Sequence, residues 1–288
     1  MKVLLFFLSI QMLYANIIPH KMGSLNLIGT PKKVVALEFA FVDALGSLGV
    51  TPIGIADDGD KSRILPSLKL NEYTSVGARK APSLELITKL RPDLILADSK
   101  RHSQAFGQLN KIAPTLVLDG LGEDYESDLL TLGLIAKALG KEKELNKRMK
   151  IHQAFLKDEE KKFSKIKDKK ILFLVSWEEG VHIHTQLAFI PSLFKKIGLS
   201  YVDTGSLLNN ASEKVNLEQL LKLNPDILIV ARRPNKIMID EWIKSPLWKM
   251  LKATKTGNVF FVDQTLWTRM RGISSAEAIL SDMEKLKI

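Results

Sequence analysis

The sequence predicts an α/β protein of two similar lobes, each built on a mostly parallel sheet and joined to the other by one long helix. Three observations predict it. First, a 19-residue motif occurs twice: residues 83–101 read SLELITKLRPDLILADSKR and residues 216–234 read NLEQLLKLNPDILIVARRP, an offset of 133. Second, short apolar runs of strand type alternate with amphipathic runs in both halves, the pattern of parallel sheets covered on both faces. Third, from Asp124 to about Ile166 no strand-type run occurs. There, residues 143–166 place Leu145, Met149, His152, Phe155, Leu156 and Phe163 near helical spacing among dense charges.

In chain order, Met1-Lys2 followed by VLLFFLSIQML and Tyr14-Ala15-Asn16 has the charged start, short apolar core and small residue of an export signal, with cleavage expected after Ala15. Its apolar core is shorter than the roughly 18 residues a membrane span needs. The first lobe then opens with a strand at 34–37, a helix at 38–50 and a strand at 52–57. A loop-rich section leads to the first motif copy, and a strand at 114–119 follows. After the long helix, the second lobe restarts with a strand at 171–175 and a helix at 187–199. The second motif copy, a helical stretch at 241–251, a strand at 258–263, a loop at 264–276 and a final helix at 274–287 complete the chain. The boundaries expected are 1–15 for the signal, 16–140 for the first lobe, 141–167 for the connecting helix and 168–288 for the second lobe.

The composition, 45% hydrophobic and 26% charged, is that of a folded globular chain. There is no cysteine, so neither a disulfide nor a cysteine-linked lipid is expected, and the exported product is read as a soluble monomer of the periplasm. The formal charge of +10 suits anionic partners. Of the 42 basic residues only nine are arginine, and seven of these fall in expected loops or at strand ends: Arg63, Arg79, Arg101, Arg232, Arg233, Arg269 and Arg271. Lysine covers the surface. A rigid guanidinium fork suits carboxylate or phosphate recognition, so this confinement points to an anion site. In open parallel sheets ligands sit beyond the carboxyl ends of the strands, where Arg101, Arg232, Arg233, Arg269 and Arg271 are expected.

Several classes are disfavoured. No dinucleotide fingerprint, phosphate loop or nucleophile elbow is present, which argues against nucleotide and hydrolase chemistry, although a two-lobed transferase shares the outline. Export and the lack of interleaved aromatic and basic residues argue against nucleic acid. His182 and His184 fall on one face of an expected strand, a weak candidate metal pair and otherwise packed or cleft-lining side chains.

The segments VVALEFAFVDALGSLGVTPIGIADD, RILPSL, SVGARKAPSLE, KLRPDLILADSKRH, IAPTLVL, IHTQ, SPLWKML and VDQTLWTRMRG resemble periplasmic siderophore-binding proteins of ABC importers, and among these the ferric dicitrate-binding group. The similarity runs from about residue 31 to 280. RPDLILA marks the wider family, whereas DSKRH, IHTQ and WTRMRG together are specific. The resemblance implies a receptor without catalysis or intrinsic cofactor, holding an Fe(III) chelate between lobes of limited hinge motion and delivering it to an inner-membrane permease. Haem, cobalamin or a nickel chelate remain alternative cargoes. It also implies that Arg79, Arg101, Arg269 and Arg271, with Trp267 beside them, contact the ligand, and that Glu85 and Glu218 dock onto the permease. The chain departs from the family at Trp177, where related sequences carry arginine, and at Arg232-Arg233, which align poorly; all three are retained as candidate ligand residues.

Overall fold

A computed structural model describes residues 15–122, 124–205, 210–233 and 238–288. The expected signal segment, up to residue 14, lies outside the described residues, and the expected cleavage point falls at the first residue of a strand. That strand, β1 (Ala15–His20), pairs antiparallel with β2 (Gly23–Ile28) in a hairpin that the sequence reading passes over. It buries Ile18 and Leu27 in the first core and extends the sheet edge through the Lys21 N–H, which donates to the Val117 carbonyl at 2.9 Å.

The first lobe contains β3 (Val34–Ala36), α1 (Phe39–Ser47), β4 (Gly54–Ile55), β5 (Thr74–Ser75), the small hairpin β6 (Gly77–Ala78) and β7 (Ala81–Pro82), α2 (Leu84–Leu90), β8 (Leu94–Asp98), α3 (Ser99–His102), α4 (Phe106–Ile112) and β9 (Thr115–Leu118). Its sheet, ordered β5-β4-β3-β8-β9, is parallel throughout. The apolar runs alternate between two cores. Val34, Ala36, Leu94 and Leu96 face one layer of helices, while Val35, Ile95 and Ala97 face the other. Both faces are therefore dry, which is why the runs lack polar residues.

Next come α5 (Tyr125–Ala138) and the 21-residue α6 (Glu142–Lys162). The second lobe contains β10 (Ile171–Ser176), β11 (Val181–His184), α7 (Phe189–Lys196), β12 (Ser212–Val215), α8 (Leu217–Leu223), β13 (Ile227–Arg232), α9 (Met238–Lys244), α10 (Lys252–Lys255), β14 (Val259–Asp263), α11 (Gln264–Thr268) and α12 (Ile273–Lys285). The sheet is ordered β12-β11-β10-β13-β14. Here β10, β13 and β14 are parallel, whereas β11 and β12 run antiparallel. The departure from an all-parallel pattern has a local cause. Only residues 177–180 separate β10 from β11, too few for a crossover, and the Trp177 N–H donates to the Gly180 carbonyl to close a hairpin.

The duplicated motif has one structural meaning in both copies. Ser83 and Asn216 cap α2 and α8, and Arg91 and Asn224 end them in the left-handed region at φ +49° and +39°. The following Pro-Asp turns the chain into the strand. The Asp93 carboxylate accepts the Lys32 and Lys33 N–H groups at 2.9 and 3.0 Å, and that of Asp226 accepts the Lys170 N–H at 2.8 Å. Each copy thus pins the start of its lobe's first β-strand in the sheet.

The long helix α6 does not connect the lobes alone. Tyr125 of α5 packs in the second core while Leu132, Ile135 and Ala136 pack in the first; Ile273 of α12 lies in the first core and Ala276, Ile279, Leu280 and Met283 lie in the second. Three helices shared by both cores resist large relative motion.

Candidate functional site

The strongest cluster of charge gathers where β3, β4, β8 and the β6-β7 turn end. Arg79 sits in that two-residue turn. Its backbone N–H donates to Asp58 Oδ1, its Nε and Nη2 donate to Asp58 Oδ2 at 3.0 and 2.8 Å, and its Nη1 donates to Glu38 Oε1 at 2.7 Å. The guanidinium also lies 4.1 Å from the Phe39 ring centroid. With a side chain 7% exposed, Arg79 is engaged by the protein itself.

Arg101 is held differently. Asp98 ends β8 and caps α3, its Oδ1 accepting the Lys100 and Arg101 N–H groups and its Oδ2 accepting that of Gly120. Buried His102 accepts the Asp98 N–H at Nδ1, which leaves Nε2 to donate to the Arg79 carbonyl at 2.7 Å. Burial moves this imidazole below its ordinary pKa and keeps it neutral. The DSKRH segment is therefore a bracket that joins the Arg101 turn to the Arg79 turn. The Arg101 Nε lies 3.0 Å from Glu38 Oε2, yet neither atom completes a hydrogen bond. Glu38 is the ion partner of Arg101 among the described residues, and the Arg101 side chain keeps 15% of its surface exposed.

The C-terminal segment completes the group. Arg269 follows α11 and brings Nη1 to 4.0 Å from Asp58, while Arg63 meets Asp58 at 2.9 Å. Burial raises the Asp58 pKa, but hydrogen bonds and charge from Arg79, with the Arg63 charge, more than offset it and hold the carboxyl below its usual range. Four arginines gather on Glu38 and Asp58, with Arg63 also paired to Asp60 at 3.1 Å.

On the second lobe, Trp177 stands at the β10-β11 hairpin, 36% exposed, with the Arg233 guanidinium 5.6 Å from its ring centroid. Arg232 pairs with Asp240 at 3.0 Å and lies over exposed Phe261. His182 and His184 share one face of β11. Burial, then the charges of Arg271 and His182, push His184 down to about 3, so it stays neutral, and its Nδ1 has no hydrogen-bond partner among the described residues. Among the described residues no group of three metal-ligating side chains forms around them. A cavity of about 460 Å³ opens between Lys100, Leu121, Gly122 and Asp124 on one side and Leu187, Asn210 and Ala211 on the other.

Two sequence expectations change. Trp267 is 1% exposed, stacks on Phe173 at 5.6 Å and donates its indole N–H to Asp282, so it is a core residue and not a cleft wall. Arg79 supports the site rather than presenting free donors to it. Glu38 and Asp58, absent from the sequence-derived site, are central to it; each follows an apolar strand run closely, a position that the strand-end rule applied to arginines would equally have flagged. Glu85 and Glu218 occupy the first turns of α2 and α8, both exposed, with Glu85 paired to Lys89 at 2.6 Å.

Two lobes built on mostly parallel strands, with an arginine–carboxylate cluster at the strand ends of the first, fit a binding protein. A family model described as periplasmic binding protein matches residues 34–266, and the chain belongs to that family. It is a solute-binding protein rather than an enzyme. It is 39% identical to the Fe(3+)-citrate-binding protein YfmC of Bacillus subtilis, over 94% of this chain and 85% of the relative. It is 37% identical to the Fe(3+) dicitrate-binding periplasmic protein FecB of Escherichia coli, over 95% and 90%. Among solved structures, Staphylococcus aureus SirA complexed with staphyloferrin B superposes with a TM-score of 0.82 at 27% identity, over 94% of this chain and 98% of that one. The resemblance drawn from the sequence segments is borne out.

Proposed function

We propose that the protein captures an anionic Fe(III) chelate, ferric dicitrate or a similar siderophore, in the periplasm and hands it to an inner-membrane ABC permease. The observation that carries this reading is the pair Arg101 and Arg269. Both side chains are mostly buried, at 15% and 14% exposed, and both stand against carboxylates of the cluster. Chelate carboxylates would accept charge-assisted hydrogen bonds from the arginines' terminal nitrogens, with the iron already enclosed by its own ligands and no protein atom bound to it. Trp177, Arg232, Arg233 and Arg271 would line the opposite wall. The names of YfmC and FecB support citrate as the chelating group. Titrating the purified protein with ferric citrate, metal-free citrate and a ferric hydroxamate tests this: saturable binding of ferric citrate is expected, and equal indifference to all three would sink it.

Permease docking is assigned to Glu85 and Glu218, which stand at matching positions of the duplicated motif. Exposed carboxylates in first helical turns are favoured by the helix dipole by only about 0.3–1 kcal/mol, so their removal leaves the fold intact. Glu85→Ala combined with Glu218→Ala is expected to leave chelate affinity unchanged and to abolish uptake by whole cells. Normal uptake by the double variant would refute the assignment.

A further inference from the structure

Glu38 is fully buried at the end of β3, inside the charged cluster. Its Oε1 accepts the Phe39 N–H at 3.0 Å as well as Arg79, while Oε2, facing Arg101 at 3.0 Å, lacks a hydrogen bond. A buried anion with one oxygen left unsatisfied is costly to keep. It is not alone in placing the arginines, although it is the ion partner of the Arg101 guanidinium among the described residues. Arg79 is already clamped through two nitrogens by Asp58, and the Arg101 turn is fixed by Asp98 and His102. Besides capping α1, Glu38 adds a negative charge directly beside the partly exposed Arg101 side chain.

We propose that Glu38 is the counter-charge that limits how tightly the arginine cluster holds its anion, so that bound cargo can leave. The proposal rests on the reading of this site as an anion receptor. Arg63, Arg79, Arg101 and Arg269 bring four positive charges, of which Glu38, Asp58 and the Arg63 partner Asp60 offset three. Repulsion from Glu38 acts on any anion placed on Arg101 and grows with that anion's charge. At the effective dielectric of a half-desolvated pocket, one unit charge a few ångströms away changes affinity by about tenfold or more. The weakening falls mainly on the residence time, as affinity differences within one site usually do.

Glu38→Gln tests this, because it keeps the side-chain shape and an oxygen for Phe39 and Arg79 while removing the charge. Wild type and variant are titrated with sulfate, metal-free citrate and ferric citrate at low and high salt, with release followed by stopped flow. The variant is expected to bind ferric citrate about tenfold or more tightly, chiefly through slower release, and the gain is expected to shrink as salt rises. A folded variant that gains affinity for none of the three anions overturns the proposal. If the wild type ignores ferric citrate, the assignment of cargo fails, and a gain with sulfate or citrate still supports the role of Glu38. Should Glu38→Gln fail to fold, Asp58→Asn removes the second negative charge and is expected to tighten binding in the same way; no tightening there overturns the proposal.

Discussion

Replacing Arg101 and Arg269 together by alanine is expected to weaken chelate binding by about a thousandfold, with a smaller loss of fold stability than Arg79→Ala. The two side chains contribute differently from the third arginine beside them. Arg101 pairs with buried Glu38 at 3.0 Å but completes no hydrogen bond through Nε, and Arg269 stands 4.0 Å from Asp58, so each is a weaker structural tie than Arg79. Their value lies in an anion that is absent when the site is empty. Hydrogen bonds to charged groups contribute roughly 1.5–3 kcal/mol each, and about 4 kcal/mol corresponds to a thousandfold in affinity. Arg79→Ala should behave in the opposite sense. It leaves buried Glu38 and half-buried Asp58 without their main partner, and breaking a buried pair costs about 3–5 kcal/mol. The check is a ferric citrate titration alongside thermal melting. The double variant should melt above Arg79→Ala yet fail to bind, whereas Arg79→Ala should lose stability first. A double variant with wild-type affinity would remove Arg101 and Arg269 from the site.

That contrast marks how far the sequence could be read. The strand runs, the alternation and the repeat were legible because each strand is apolar on both faces and each Pro-Asp ends a helix in the same way. The resemblance identified the arginines as a set. It could not rank them, since the difference between Arg79 and Arg101 is which carboxylates stand behind them, and Glu38 and Asp58 are separated from Arg79 by 41 and 21 residues. Trp267 misled for a related reason. Its segment does carry Arg269 into the site, but the indole two residues earlier stacks on Phe173 in the core. The antiparallel β11 and β12 were hidden by an analogy between halves that holds for the motif copies and fails at the short 177–180 connection. The sharing of α5 and α12 between the two cores depends on tertiary packing that no local pattern encodes.

Asp43→Ala is expected to destabilise the protein by about 3 kcal/mol or more, although Asp43 lies in neither the motif nor the arginine cluster. α12 begins after Gly272 without a side-chain cap of its own. The cap comes from α1: Asp43 accepts the Ser274 N–H at 3.1 Å, the Ser275 N–H at 2.8 Å and the Ser275 hydroxyl at 2.5 Å, and the Ser47 hydroxyl at 3.2 Å. Truncation would leave the first-turn N–H groups of α12 buried and unpaired at the seam between the lobes. The approach is so close that a Cβ on Gly272 would sit 2.5 Å from Asp43 Oδ1, at φ +127°, so Gly272→Ala should be comparably damaging. Burial raises the Asp43 pKa, and hydrogen bonds from Ser275, Ser274 and Ser47 only partly offset that rise. A carboxyl with a folded pKa above its unfolded value stabilises most when protonated. Its contribution is therefore complete below about pH 4 and declines as pH rises through the folded value. Asp43→Asn has no such titration, so the stability gap between wild type and Asp43→Asn, measured by denaturant unfolding, should be widest in acid and narrow toward neutral pH. A gap that widens with pH would mean that α12 is capped by an ionised carboxylate whose attraction to the helix N-terminus outweighs its burial.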